Sequence, residues 1–176
     1  MSLADTLKVA LKIARWRLRR TNARLKHGSL AGSPIFFANS FPKSGSHLLT
    51  QALQGFAQIG PVVDGGLPAV LTYDGPSGQM RSLQDILRDL QRLRPGDISY
   101  GHLHALPQTV KMLTQAGVAS CFIYRDPRDV VVSHVHYVTE MEPNHVHHSY
   151  YRHELKSFDE RLRVSIQGRP ELETPF

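Results

Sequence analysis

The chain alternates short apolar runs with segments of helical periodicity, and this alternation restricts the fold more than any other feature. The apolar runs have the length of buried strands and lie at 35–39, 97–101 and 118–125. Helical patterns follow them, over 45–58, over 107–116 and from Pro127 onward. Strands that alternate with helices usually form a parallel sheet. We therefore predict a three-layer α/β fold, with helices on both faces of the sheet.

Other segments complete this organisation. A helix is predicted from Ser82, where Ser82 and Asp85 resemble a capping pair, to a stop at Pro95-Gly96. A last helix is predicted over 157–167. The Gly- and Pro-rich stretch 60–78 is predicted to be a long surface loop without regular structure, a kind of loop that is often functional.

The positive charge of the chain is confined to its N-terminal arm. The formal net charge is +6, but residues 1–27 hold eight Lys or Arg against one acid, whereas the remainder holds 13 basic and 14 acidic residues. We predict two units: a basic amphipathic helix with its linker over 1–33, and an α/β domain over 34–176. The nearly neutral domain indicates no nucleic-acid partner.

The basic helix over 3–26 has two interpretations. A basic amphipathic helix can lie on an anionic membrane surface as a peripheral contact. The alternative is a helix that docks on its own domain or on a partner. The narrowness of the apolar stripe favours it, since the stripe consists of Leu3, Leu7, Leu11, Ala14, Leu18 and Leu25. The single cysteine, Cys121, excludes an internal disulfide, is predicted to be a buried strand residue, and favours a cytoplasmic location. The oligomeric state is left open.

The turn PKSGSH, at 42–47, connects the first predicted strand to a helix. Gly45 allows a tight turn and a close approach of the backbone to a ligand. Amide groups at a helix N-terminus favour an anion, and Ser44, Ser46 and Lys43 add hydrogen-bond donors and a positive charge. The turn is predicted to bind phosphate or sulfate, with an ordinary strand-to-helix turn as the alternative. Its lysine position differs from that of the ATP-binding P-loop.

A second strand-turn-helix segment, FIYRDPRDVVVSHVHY, covers 122–137. Arg125 lies where the strand ends, and Ser133 follows two helical turns later. An arginine and a serine hydroxyl there can bind a second phosphate. A capping network of arginines and aspartates within 125–129 is the alternative, and it is compatible with binding.

Together, PKSGSHLL and YRDPRDVVVSHVHY resemble the two donor-binding motifs of PAPS-dependent sulfotransferases, which read PKSGTTWL and YRNPKDVAVSYYHF. The resemblance covers roughly 34–168 and implies the P-loop-like sulfotransferase fold, with PAPS as co-substrate and no required metal. It implies that the 5′ end of the donor is bound by Lys43, Ser44, Gly45, Ser46 and His47, and the 3′-phosphate by Arg125 and Ser133. The family's late Arg-Lys-Gly stretch has no counterpart, so we expect a partial domain, incomplete at its C-terminus.

The resemblance also implies a mechanism. His102, in SYGHLHALP, matches the family's histidine base, and Lys43 would neutralise charge on the leaving oxygen during in-line sulfuryl transfer to an acceptor hydroxyl or amine. His104 is the competing base, because residues two apart in an extended segment share a face. A small-molecule or carbohydrate acceptor is expected, near the 62–78 loop and the histidine-rich segment.

Three alternative functions stay open at this stage. A nucleotide-dependent, kinase-like phosphotransferase would need a carboxylate-bound magnesium ion. A catalytically impaired, membrane-associated binding module would combine the basic helix with the donor-binding fold. Histidine pairs between His134 and His148 could chelate a metal, although neither cysteine nor a suitably spaced carboxylate completes the site.

Overall fold

The computed structural model of the chain describes residues 3–74 and 77–169, so predictions for residues 1–2, 75–76 and 170–176 lie outside it. The helices are α1 (Leu3–His27), α2 (Ser46–Ile59), α3 (Leu83–Gln91), α4 (Pro107–Leu113), α5 (Pro127–His136) and α6 (Phe158–Gln167). The strands are β1 (Ile35–Ser40), β2 (Val63–Asp64), β3 (Val70–Leu71), β4 (Asp97–His102) and β5 (Val118–Ile123). The segments Tyr137–Met141 and Tyr150–Glu154 are π-helical.

The five strands of the described part form one parallel sheet, as the alternating pattern predicts. The strand order is β2-β4-β1-β5. Strand β2 pairs with the first residues of β4, and β3 pairs with its last residues, Gly101 and His102. Ser40, the last residue of β1, lies opposite Ile123, the last residue of β5, and Asn39 lies opposite Gly101 of β4. The carboxyl ends of the three longest strands therefore meet at one edge of the sheet.

Helices pack on both faces of the sheet because successive residues of β1 point to opposite sides. Phe37 is fully buried on one side, where it packs with Ile86 and Leu90 of α3. Ala38 is buried on the other side, where it packs with Leu53 of α2. The predicted cap of α3 is confirmed, since the Ser82 hydroxyl accepts a hydrogen bond from the Asp85 amide.

Helix α1 docks at the amino edge of the sheet, as one interpretation of residues 3–26 predicts. The carboxylate of Asp97, the first residue of β4, is buried and forms an ion pair with Arg20. It also accepts a hydrogen bond from Trp16 Nε1 at 3.0 Å and one from the Arg94 amide at 2.8 Å. These donors satisfy both carboxylate oxygens, which a buried charge requires.

Some sequence predictions are corrected by the structure. The 60–78 stretch is not entirely irregular, because β2 and β3 form within it and pair with β4. Helix α4 ends at Leu113, three residues before the predicted end, and Thr114 caps it. Cys121 is exposed rather than buried. Periodicity cannot distinguish a central strand from an edge strand, and β5 is an edge strand whose residues 120–122 are exposed.

None of the helices in the described residues has the length and apolar character needed to cross a bilayer.

Candidate functional site

The PKSGSH turn connects β1 to α2 at the carboxyl edge of the sheet. The Phe41 amide donates to the Ile123 carbonyl at 3.1 Å, and the Ser44 amide donates to the Phe41 carbonyl at 3.1 Å. Gly45 has φ 103°, a conformation that side chains disfavour, and a Cβ atom at this position would lie 3.4 Å from Ile123 Cδ1 of β5. Lys43 has φ 64°, which is uncommon for a residue other than glycine. Such backbone strain is typical of ligand-binding loops.

The N-terminus of α2 has the properties of an anion site. Gly45 supplies no side-chain cap, and the first turn contains no acidic residue. The first amides of a helix have no partner within the helix and carry the positive end of its dipole. Ser44 is buried, and its hydroxyl has no hydrogen-bond partner among the described residues. A buried donor without a partner is costly, so a bound anion would relieve this cost.

Lys43 extends from this turn onto the aromatic ring of Tyr137. Its Nζ atom lies 3.5 Å from the ring centroid, within the range of a cation–π interaction. Burial lowers the pKa of the Lys43 ammonium group. Tyr137 follows α5 directly, so this contact connects the first motif to the end of the second.

His102, at the carboxyl end of β4, is connected to the same turn through Ser40. Its Nδ1 atom lies 2.7 Å from the Ser40 carbonyl oxygen, which can only accept, so Nδ1 carries the proton and Nε2 has the free lone pair. The Ser40 hydroxyl lies 3.1 Å from Nδ1 and 2.8 Å from the Ser46 hydroxyl. The Ser40 hydroxyl can only share the Nδ1 proton with the Ser40 carbonyl, so a chain of close polar contacts runs from the histidine to the first residue of α2.

The backbone that follows His102 is held in place by Asn39 of β1. The Asn39 side chain accepts from the Leu103 amide at 2.8 Å and donates to the Leu103 carbonyl at 2.9 Å. His104 is held differently: its amide donates to the Thr72 hydroxyl, and its exposed ring packs edge-on against Tyr73. The imidazole of His102 is therefore oriented by hydrogen bonds, whereas that of His104 packs on an aromatic ring.

A cavity of about 820 Å³ opens at this edge of the sheet. Its walls include Lys43, His102, His104 and Tyr137. The volume suits a small-molecule ligand, since such pockets usually measure about 300–1,000 Å³. The two side chains to which the sequence assigns chemistry, Lys43 and His102, thus line one cavity.

The second motif lies at the same edge, one strand away. The predicted capping network is present: Asp126 caps α5 and pairs with Arg128, and Arg125 Nε lies 3.3 Å from Asp129 Oδ2. Within the described residues Arg125 uses only Nε in this pair, so its terminal nitrogens are left for a ligand. Ser133 is half-buried on α5.

The candidate site residues fall into two groups. Lys43 and His102 line the cavity, whereas Ser44, Gly45, Ser46, Arg125 and Ser133 do not. His47 is exposed on the first turn of α2. The sequence motifs missed Ser40, Asn39 and Tyr137. The first two could have been found as polar residues at the end of an apolar strand, whereas no spacing rule indicates Tyr137.

The histidine-rich segment packs as an aromatic cluster against the cavity. His134 lies 5.9 Å from His145 and 6.0 Å from Tyr151, measured between ring centroids. Burial, followed by the charges of His145, His147 and Lys43, lowers the pKa of His134 to about 4. Across residues 3–74 and 77–169, no group of three His, Cys, Asp or Glu side chains is arranged to bind a metal ion.

In comparisons with known proteins, no family model, no curated protein and no solved structure matches the chain. A functional assignment therefore depends on the residues and their geometry.

Proposed function

We propose that the chain is a sulfotransferase that moves a sulfuryl group from PAPS to the hydroxyl of a small-molecule or carbohydrate acceptor. The observation that carries this proposal is the convergence of both motifs and His102 at one edge of the sheet. Parallel strands β4, β1 and β5 end there side by side. Ligands of open α/β folds bind at the carboxyl ends of the strands. The same proposal covers the P-loop-like sulfotransferase fold, with 34–176 as a partial domain.

The donor would be bound at both of its phosphate ends. The 5′ end would bind at the α2 N-terminus. There the buried Ser44 hydroxyl has no partner among the described residues, and the Ser46 hydroxyl contacts Ser40, which contacts His102. The terminal nitrogens of Arg125, with the hydroxyl of Ser133, would bind the 3′-phosphate. An arginine suits this role because its planar group forms paired hydrogen bonds with phosphate oxygens.

Transfer would proceed by in-line displacement. The acceptor oxygen forms a bond to sulfur while the bond between sulfur and the bridging oxygen of the 5′-phosphate breaks. His102 Nε2 takes the acceptor proton, because Nδ1 already donates to Ser40. Lys43 neutralises the charge that develops on the bridging oxygen. The products are the sulfated acceptor and PAP, the desulfated donor.

Lys43 would act as a mobile cation in this mechanism. Its ammonium group rests on Tyr137 at the cavity wall, and burial lowers its pKa. A cation–π contact contributes only about 0.5–2 kcal/mol. Lys43 can therefore leave the ring with its positive charge intact. The developing negative charge of the leaving group would attract Lys43 from the ring.

Calorimetry with PAP tests the donor site. Lys43→Ala and Arg125→Ala should each weaken binding about 10- to 100-fold, the equivalent of about 1.5–3 kcal/mol for a hydrogen bond to a charged group. Lys111→Ala and Arg128→Ala are matched controls, because each removes an exposed cation near but outside the assigned site. Unchanged binding in both site variants would contradict the assignment.

Measurement of PAP release from PAPS with a panel of hydroxyl acceptors tests catalysis. His102→Gln should lower kcat about 10²- to 10⁴-fold with PAP affinity retained, and His104→Gln should have little effect. Binding of PAP without turnover in the wild-type chain would instead indicate the non-catalytic binding module. Preferential binding of ATP with Mg²⁺ would indicate the phosphotransferase.

A further inference from the structure

Helix α1 has two faces, and only one of them is covered by the domain. Trp16 and Arg20 dock on Asp97, and Lys26 Nζ donates to the Gln58 carbonyl at 3.0 Å. The opposite face carries exposed leucines, with exposed fractions of 63% for Leu7, 51% for Leu11, 62% for Leu18 and 82% for Leu25. Scattered exposed leucines are ordinary, whereas four on one helix face form a surface that needs a ligand.

The geometry of the helix separates these faces. At 3.6 residues per turn, Leu7, Leu11, Leu18 and Leu25 lie within about 40° of one another around the axis. Trp16 lies on the opposite side, roughly 140–180° from each of them. Docking through Trp16 therefore cannot cover these four leucines, which we call the leucine stripe.

Basic side chains flank the leucine stripe on both sides. Arg15 lies along one side, and Arg17 and Arg24 lie along the other; all three are exposed. Between the docked face of α1 and the domain, Arg17 and Arg24 also line a groove of about 980 Å³, together with Trp16, Arg20 and Arg94. Of the described residues that line this groove, none is acidic.

The charges exclude a second copy of the chain as the preferred occupant. The stripe follows the alternating spacing of four and three residues that coiled coils use, through Leu7, Leu11, Ala14, Leu18, Thr21 and Leu25. In a pair of such helices the flanking arginines would face the same cations. Like charges at those positions oppose association.

Nucleic acid also fits this surface poorly. A phosphate backbone would use the arginines, but it would leave the leucine stripe in water. An anionic bilayer uses both features: the headgroups attract the basic flanks, and the interface between headgroups and acyl chains receives the leucines.

We infer that the outer face of α1 binds an anionic lipid bilayer, with the leucine stripe inserted at the interface and the exposed flanking arginines Arg15, Arg17 and Arg24 against lipid phosphates. This binding leaves the candidate site free. Helix α1 docks at Asp97, the first residue of β4, whereas His102 is the last, and six strand residues span about 17–20 Å. The membrane surface and the cavity therefore lie at opposite edges of the sheet.

Vesicle co-sedimentation of the full chain tests this inference. The chain should pellet with vesicles of phosphatidylcholine mixed with phosphatidylglycerol and not with phosphatidylcholine alone. The double variant Leu11→Gln/Leu18→Gln should bind at least about tenfold more weakly, because two buried leucines are lost from the interface. Arg17→Gln/Arg24→Gln should weaken binding by a similar factor, and added salt should weaken wild-type binding.

Matched controls separate insertion from a general loss of hydrophobicity or charge. Ile59→Gln removes an exposed side chain from α2, and Arg163→Gln with Lys111→Gln removes two exposed cations from other helices. Both controls should pellet like the wild type, and thermal unfolding should show that every variant is folded.

Several outcomes would overturn the inference. These are absence of pelleting with the anionic vesicles, equal pelleting with neutral ones, and wild-type binding by the double leucine variant. A dimer in light scattering that the leucine variant abolishes would assign the stripe to a second copy. Binding of duplex DNA that competes with vesicles and ignores the leucine variant would assign the surface to nucleic acid.

Discussion

Two arginine–aspartate pairs lie at opposite edges of the sheet and differ in almost every physical respect. The pair of Arg20 with Asp97 is buried at the amino edge, and Trp16 and the Arg94 amide complete the hydrogen bonds of the carboxylate. The pair of Arg125 with Asp129 is exposed at the carboxyl edge and uses one guanidinium nitrogen. In the first pair, both carboxylate oxygens are satisfied within the protein. The second leaves donors for a ligand.

The same contrast holds for the residues around each pair. At the amino edge, the contacts of Asp97 attach α1 to β4 and hold the fold together. At the carboxyl edge, the buried Ser44 hydroxyl lacks a partner among the described residues, Lys43 adopts a left-handed conformation, and burial lowers the pKa of His134. A protein tolerates such costs where they serve binding, and stabilises itself elsewhere.

The largest expected effect comes from breaking the buried pair. Asp97→Ala should lower the free energy of unfolding by about 3–5 kcal/mol, because Arg20 is left buried without its counter-ion. Asp129→Ala, the matched change in the exposed pair, should cost about 1 kcal/mol or less. Denaturant titration of both variants measures the difference. Equal losses would abolish the contrast between the two edges.

A smaller effect comes from His134, which burial keeps neutral. Its pKa is about 4 in the folded chain and about 6.5 in the unfolded chain, so acid favours unfolding. The stabilisation is complete above pH 6.5, and roughly 3 kcal/mol is lost as the pH falls through this window to about 4. His134→Gln should remove this part of the pH dependence, as measured by denaturant titration across the window.

The exposed His153 provides the control for this measurement. Because carboxylates also titrate in acid, the quantity to compare is the difference between each variant and the wild type. A His134→Gln variant with the same pH dependence as His153→Gln would show that the pKa of His134 is not lowered in the folded chain.

The smallest effect tests the connection between His102 and α2. Ser40→Ala removes the hydroxyl between Ser46 and the imidazole, and should cost about 1 kcal/mol of stability and weaken PAP binding about fivefold. Ser99→Ala is the matched change, because its buried hydroxyl makes no hydrogen bond within the described residues and its removal should be neutral or stabilising. Unchanged PAP affinity in Ser40→Ala would show that the chain of hydroxyls is structural only.

Local patterns were sufficient to predict most elements of the described fold. The apolar runs that form β1, β4 and β5 and the capping residues of α3 act over a few residues, so the sequence alone indicates them. The strands β2 and β3 and the exposure of Cys121 were not predictable, because they depend on which neighbour each strand pairs with.

The sequence by itself determined the parallel α/β fold and the chemistry available in the two motifs, since both are written in residue types at short spacing. Only the tertiary structure brought Ser40 to His102 and Lys43 to Tyr137, pairs that lie 62 and 94 residues apart in the chain. It also decided which face of α1 docks through Trp16 and which face leaves its leucines exposed. Contacts of that separation arise from the packing of whole elements, which no local pattern specifies.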